Sequence, residues 1–151
     1  MKKLLAPGKD SGLTSFALLM LRCWLGATML LHHGLDKLTH YGDMAQHFFD
    51  PLHIGSKASL ALVVFAEVVC AAFLALGIAT RLAALVLAIE MSVAFFLFHH
   101  QVMNGPHSGE LAFIYLAGFV TLFLAGGGKF SMDQAVFGKG GKGGSFPARK
   151  D

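Results

Sequence analysis

The chain has 151 residues, of which 55% are hydrophobic and 14% are charged, and its formal net charge is +3. Soluble domains carry about 25% charged residues, so this composition and the mean hydropathy of +0.62 are typical of a membrane protein. Two cysteines argue against a disulfide-rich secreted scaffold, and the basic residues form no stripe interleaved with aromatic residues, which argues against nucleic-acid binding.

Four apolar blocks follow one another along the chain, each of about 15 to 22 residues, near the length that crosses a bilayer. The predicted spans are about 14–35, 59–78, 81–98 and 108–125. The chain is too short for a second domain beside them. The predicted fold class is therefore all-α, a membrane four-helix bundle.

The lysines and arginines orient these spans, because cytoplasmic flanks carry the excess of basic residues. With both termini in the cytoplasm, nine basic residues lie inside: Lys2, Lys3, Lys9, Arg81, Lys129, Lys139, Lys142, Arg149 and Lys150. Lys37 and Lys57 lie outside. This predicts a cytoplasmic N-terminal segment at 1–13, a membrane domain at 14–134 and a flexible basic cytoplasmic tail at 135–151 that is attracted to anionic lipids.

The first outer connection, residues 36–58, is long for a helix bundle. We expect it to fold over the outer face with a short amphipathic helix around Tyr41 to Phe49. On this topology all eight histidines of the chain lie at or beyond the outer ends of the spans.

Several short motifs occur in order along the spans. They are Arg22 followed by Gly26, His33-Gly34-Leu35-Asp36-Lys37, Glu67, Gly77-Ile78-Ala79-Thr80-Arg81-Leu82-Ala83-Ala84, and Gly126-Gly127-Gly128-Lys129-Phe130-Ser131-Met132-Asp133. In this order and spacing the chain resembles the DoxX family of small four-helix bacterial membrane proteins, from about Leu21 to Val136. The resemblance implies a multi-pass inner-membrane protein, and some members are associated with quinone-linked oxidation or redox-stress complexes. It implies no catalytic residues, and Glu90 and the outer histidines lie outside the family pattern.

Three charged residues are predicted at one depth inside the membrane. Counted at 1.5 Å per residue from the cytoplasmic ends of their spans, Arg22, Glu67 and Glu90 lie at roughly 12, 16 and 14 Å. Such groups usually face the bundle interior, and of two carboxyl groups that share a site one tends to keep its proton. This layer is the candidate catalytic site, and Arg22 with Glu67 is the candidate cofactor-binding pair, for a quinone headgroup or its protons.

Two other readings of the charged layer stay open. Arg22 and Glu67 could form a buried ion pair that only fixes helix packing. Glu90 could instead face a partner subunit.

A polar stripe is predicted on span 1, because Gly26, His33 and Asp36 point within about 40° of Arg22 at 100° per residue. Its outer end could place His33 near the ends of spans 3 and 4. The candidate metal ligands there are His33, His100, His107 and Glu110, a nitrogen and oxygen set that suits copper or zinc. The alternative is that these histidines are interfacial and bond headgroups and loop carbonyls.

Three functions of different classes are predicted. The first is an inner-membrane subunit of a redox system, linked to quinone and not a complete enzyme alone. The second is a non-enzymatic anchor or assembly protein for a periplasmic partner, and a metal-handling membrane protein is a third alternative. The expected partners are membrane lipids, a periplasmic or membrane redox protein, and a second copy of the chain in a homo-oligomer.

Overall fold

The computed structural model describes residues 12–138, which form six helices and no strand. The helices are α1 Gly12–Thr39, α2 Tyr41–Met44, α3 Ser56–Leu76, α4 Thr80–Phe98, α5 Glu110–Ala125 and α6 Met132–Phe137. The all-helical fold class is confirmed, and α1, α3 and α4 are long and apolar enough to cross a membrane. The 16 residues of α5 make it shorter, so the fourth crossing and the cytoplasmic termini stay predictions. The segment 1–11 and the tail from 139 lie outside the described residues.

Helices α1 and α3 pack antiparallel at close range because small residues line their contact. A Cβ atom at Gly26 would lie 2.7 Å from the carbonyl oxygen of Ala71, and one at Gly34 would lie 2.5 Å from the carbonyl oxygen of Glu67. Neither position has room for a side chain, so the two backbones touch along about two turns. Helix α4 packs along both α3 and α5 and completes the core.

Each of the three long helices contains one π-helical turn. These turns are Leu30–Gly34 in α1, Phe65–Cys70 in α3 and Ala94–Phe98 in α4. A π-helical turn closes i to i+5 hydrogen bonds, so it holds more residues than an α-helical turn and shifts the faces of the helix that follows it.

The π-helical turn in α1 corrects the predicted polar stripe. Beyond that turn Lys37 points inward with a side chain 19% exposed, whereas the Asp36 side chain is 64% exposed and pairs with His40. The predicted stripe assumes a constant 100° per residue, and one extra residue in the π-helical turn displaces the inward face by one position. Asp36 was therefore the wrong outer member of the stripe.

The first outer connection is mostly irregular, and the predicted helix around Tyr41 to Phe49 is the four-residue helix α2. Asp50 ties the connection to the start of α3. Its carboxylate accepts hydrogen bonds from the Ser59 hydroxyl at 2.7 Å, the Gly55 amide at 2.7 Å and the Ile54 amide at 3.2 Å. These hydrogen bonds, that of Ser59 above all, hold the pKa of Asp50 below its ordinary value.

We call the end of the bundle that carries the α3–α4 turn the inner end, after the predicted orientation. Arg22 lies at the inner end and is only 1% exposed. Its Nη1 atom donates a hydrogen bond to the carbonyl oxygen of Ala75 at 3.0 Å, and its Nη2 atom donates one to the carbonyl oxygen of Phe130. Gly77 ends α3 with a φ of 75°, and a Cβ atom on it would collide with the Arg22 guanidinium. Only glycine combines this left-handed backbone with so close a contact.

Asp133 closes the same cluster from the C-terminal side. Its carboxylate accepts the Ala79 amide at 2.7 Å and the Thr80 amide at 2.8 Å, so it caps α4 from a distant part of the chain. Burial of Asp133 raises its pKa, but these hydrogen bonds and the nearby Arg22 charge outweigh burial and hold the pKa below its ordinary value. We call Arg22, Gly77, Phe130 and Asp133 the inner clasp.

Candidate functional site

Arg22 and Glu67 do not form the predicted pair. Arg22 lies beside Gly77 at the end of α3, so about ten residues of α1, or about 15 Å, extend past that end. The predicted depths assumed that spans 1 and 2 begin in one plane, and this assumption placed Arg22 too deep. Arg22 belongs to the inner clasp, where backbone carbonyl oxygens, rather than a carboxylate, accept its hydrogen bonds.

Lys37 is the cation that pairs with Glu67. Its Nζ atom lies 2.7 Å from both carboxylate oxygens of Glu67, and the Glu67 side chain is 3% exposed. The contact joins the outer part of α1 to the middle of α3, just where Gly34 brings the two backbones together. A buried carboxylate is thus neutralised by a lysine that approaches from the end of the neighbouring helix.

Glu90 of α4 joins this pair from the other side. Glu67 and Glu90 are each about ten residues from the α3–α4 turn, so their side chains lie at one level of two adjacent helices. The Oε2 atom of Glu90 is buried and has no hydrogen-bond partner among residues 12–138. One cation therefore faces two carboxyl groups. We call Lys37, Glu67 and Glu90 the carboxyl cluster.

An aromatic and hydroxyl chain borders the carboxyl cluster. His33 precedes Lys37 by four residues on α1, and its ring meets the Tyr115 ring edge to face with the centroids 5.9 Å apart. The Tyr115 hydroxyl donates to Thr28 Oγ1 at 2.8 Å. His33 and Glu67 both lie in π-helical turns, which occur frequently at functional positions.

Sequence reasoning missed Lys37 and Tyr115 as members of this region. The basic-residue pattern predicts Lys37 in the outer loop, but Lys37 follows His33 by four residues and lies on the same face of a helix that continues to Thr39. Tyr115 carries no comparable signal, because a lone tyrosine in an apolar span is equally compatible with lipid contact.

The four predicted metal ligands do not come together. His33 lies inside the bundle against Tyr115, whereas His100, His107 and Glu110 are exposed at the outer end. Between residues 12 and 138 no group of three or more His, Cys, Asp or Glu side chains is arranged to hold a metal ion. The tandem histidines diverge, and His99 bonds the backbone oxygen of His107 at 2.9 Å, as expected for interfacial residues.

Comparison with known proteins identifies the family of the chain. Residues 17–100, more than half of its length, match the DoxX family. The chain belongs to the DoxX family. The resemblance predicted from the motifs is confirmed, and with three apolar helices long enough to span, this DoxX chain is a multi-pass membrane protein.

One curated relative is an uncharacterized protein of Haemophilus influenzae, 35% identical over 81 residues. The alignment covers 48% of this chain and 58% of the relative's length. No solved structure matches the DoxX chain significantly. The motif from Gly126 to Asp133 lies beyond the matched residues, yet the inner clasp joins it directly to Arg22 and Gly77.

Proposed function

We propose that this DoxX protein is an inner-membrane subunit of a redox system, and that its carboxyl cluster handles the proton of a quinone headgroup. The observation that carries the proposal is the placement of two carboxyl groups against one lysine in an apolar bundle. An ionisable group inside the membrane is energetically unfavourable. A second carboxyl group without a cation of its own would therefore destabilise the fold if it had no function.

The chemistry of the cluster suits this role. Lys37 balances the charge of one carboxylate, and of two carboxyl groups that share a site one tends to keep its proton. A protonated carboxyl group can donate a hydrogen bond to a quinone carbonyl oxygen, and a carboxylate can accept one from a quinol hydroxyl. The Oε2 atom of Glu90 is buried without a hydrogen-bond partner among residues 12–138, and we propose it as the atom that would bond such a group.

The test is the quinone content of the purified protein in a mild detergent. We expect quinone in the wild-type preparation and a marked loss in Glu67→Gln and Glu90→Gln, which keep the shape of the side chain but remove its acid. Glu110→Gln is the matched control, because Glu110 is exposed at the start of α5. Quinone that is absent from the wild type, or equal in all four proteins, would contradict the proposal.

A second function is favoured by the outer surface of the bundle. Large apolar side chains are exposed on the connections and helix ends there: Leu52, Ile54, Phe98, Val102 and Met103. Such surfaces are typical of docking sites, so the alternative is an anchor or assembly protein for a periplasmic partner. A stoichiometric soluble protein that co-purifies with the chain, together with no bound quinone, would favour this alternative.

A further inference from the structure

A cleft of about 530 Å³ lies at the inner end of the bundle, beside the inner clasp and about 15 Å away along the helices from the carboxyl cluster. Its walls come from the first turns of α1, the loop after α5 and the start and end of α6. Thr14 and Leu18 of α1 and Phe137 of α6 are among the lining residues. The cleft is therefore built by segments that are distant in sequence.

Two cations face this cleft. Arg81 and Lys129 both line it, and both are exposed. Arg81 donates one hydrogen bond, from Nη2 to the carbonyl oxygen of Leu124 at 3.2 Å. Asp133 is the one acidic residue that lines the cleft within 12–138, and its two oxygens already accept the amides that cap α4. The lining thus keeps a positive charge and unused donor groups, with the Gln134 amide beside them.

The cleft also lies at the level where a lipid headgroup would be. Helix α5 ends at Ala125, which lines the cleft, and hydrocarbon-spanning helices end where the headgroup region begins. Leu18 and Phe137 give the cleft apolar walls, which suit the glycerol and upper acyl carbons of a lipid rather than a free ion. The predicted orientation turns this end toward the leaflet whose surface is anionic.

We propose that the cleft binds the phosphate headgroup of an anionic phospholipid, with Arg81 and Lys129 contacting the phosphate. Arg81 forms a fork that matches phosphate oxygens, and Lys129 adds a point charge. A zwitterionic lipid carries its own ammonium group, so this pair of cations favours a lipid with net negative charge.

The test measures lipid binding to the purified full-length chain by native mass spectrometry in detergent. The probes are phosphatidylglycerol, phosphatidylcholine and inorganic phosphate. We expect phosphatidylglycerol to bind best, and Lys129→Gln and Arg81→Gln each to weaken it about fivefold, as one lost cation contact predicts. Lys57→Gln removes the same charge at the other end of the bundle and should leave binding unchanged.

The basic residues beyond 138 are present in every variant, so their attraction to anionic lipid cancels in the comparison. If Arg81→Gln does not fold, Lys129→Gln remains informative, because Lys129 is exposed and outside the core. Equal weakening by Lys57→Gln, or equal binding of phosphatidylcholine, would overturn the proposal. Inorganic phosphate that binds as tightly as the lipid would assign the cleft to a soluble anion and overturn the lipid assignment.

Discussion

Replacing Lys37 with Met removes the cation of the carboxyl cluster while it keeps an unbranched side chain of similar length. The Glu67 carboxylate, 3% exposed, then loses both 2.7 Å contacts. Breaking a buried ion pair costs about 3–5 kcal/mol. We expect about 3 kcal/mol, the lower end, because the Lys37 side chain is 19% exposed and its charge is therefore only partly removed from solvent.

A double-mutant cycle separates this pair energy from general damage. The four proteins are the wild type, Lys37→Met, Glu67→Gln and the double variant, and the assay is unfolding by SDS titration in mixed micelles, followed by circular dichroism. The double variant should lose less stability than the sum of the single losses, by about 1–3 kcal/mol. Strict additivity would refute the pairing.

The same cycle with Arg22→Lys in place of Lys37→Met is the control. Arg22 donates to backbone oxygens of Ala75 and Phe130 and shares no partner with Glu67. We therefore expect Arg22→Lys and Glu67→Gln to be additive within about 0.5 kcal/mol. A coupling as large as that of Lys37 would mean that the sequence-based pair of Arg22 and Glu67 was correct after all.

Gly34→Ala should cost about 1–3 kcal/mol in the same unfolding assay, because its Cβ atom would meet the Glu67 backbone oxygen at 2.5 Å, whereas Gly42→Ala, with open space around it, should cost far less. Asp133→Asn should lose about 1 kcal/mol at pH 7 by weakening the cap of α4. Because the folded pKa of Asp133 is lowered, its contribution is complete above the unfolded value of about 3.9 and is lost as the pH falls through the folded pKa, so wild type and variant should converge in acid. Reporter fusions after Lys57 and after Asp133 should lie on opposite sides of the membrane, and the same side for both would overturn the predicted topology.

The sequence predicts the helices well because membrane spans are recognisable from their apolar composition and their length. For example, α4 begins within one residue of its predicted start. It also places Glu67 and Glu90 together, since both are counted from the same turn. It fails for Arg22 and Lys37, for two physical reasons. The helices are staggered along their axes, which residue counts within one span do not reveal, and a π-helical turn rotates the face of α1 without any residue type that would mark it.

The inner clasp has a consequence for synthesis. The two carbonyl groups that accept hydrogen bonds from Arg22 belong to residues 53 and 108 positions later in the chain. A ribosome therefore delivers α1 to the membrane with a guanidinium group whose acceptors have not yet been made, and the second acceptor, at Phe130, emerges only after α5. A chain that stops before Phe130 has the Ala75 acceptor but lacks the second one, so the inner clasp forms completely only after α5 has been made.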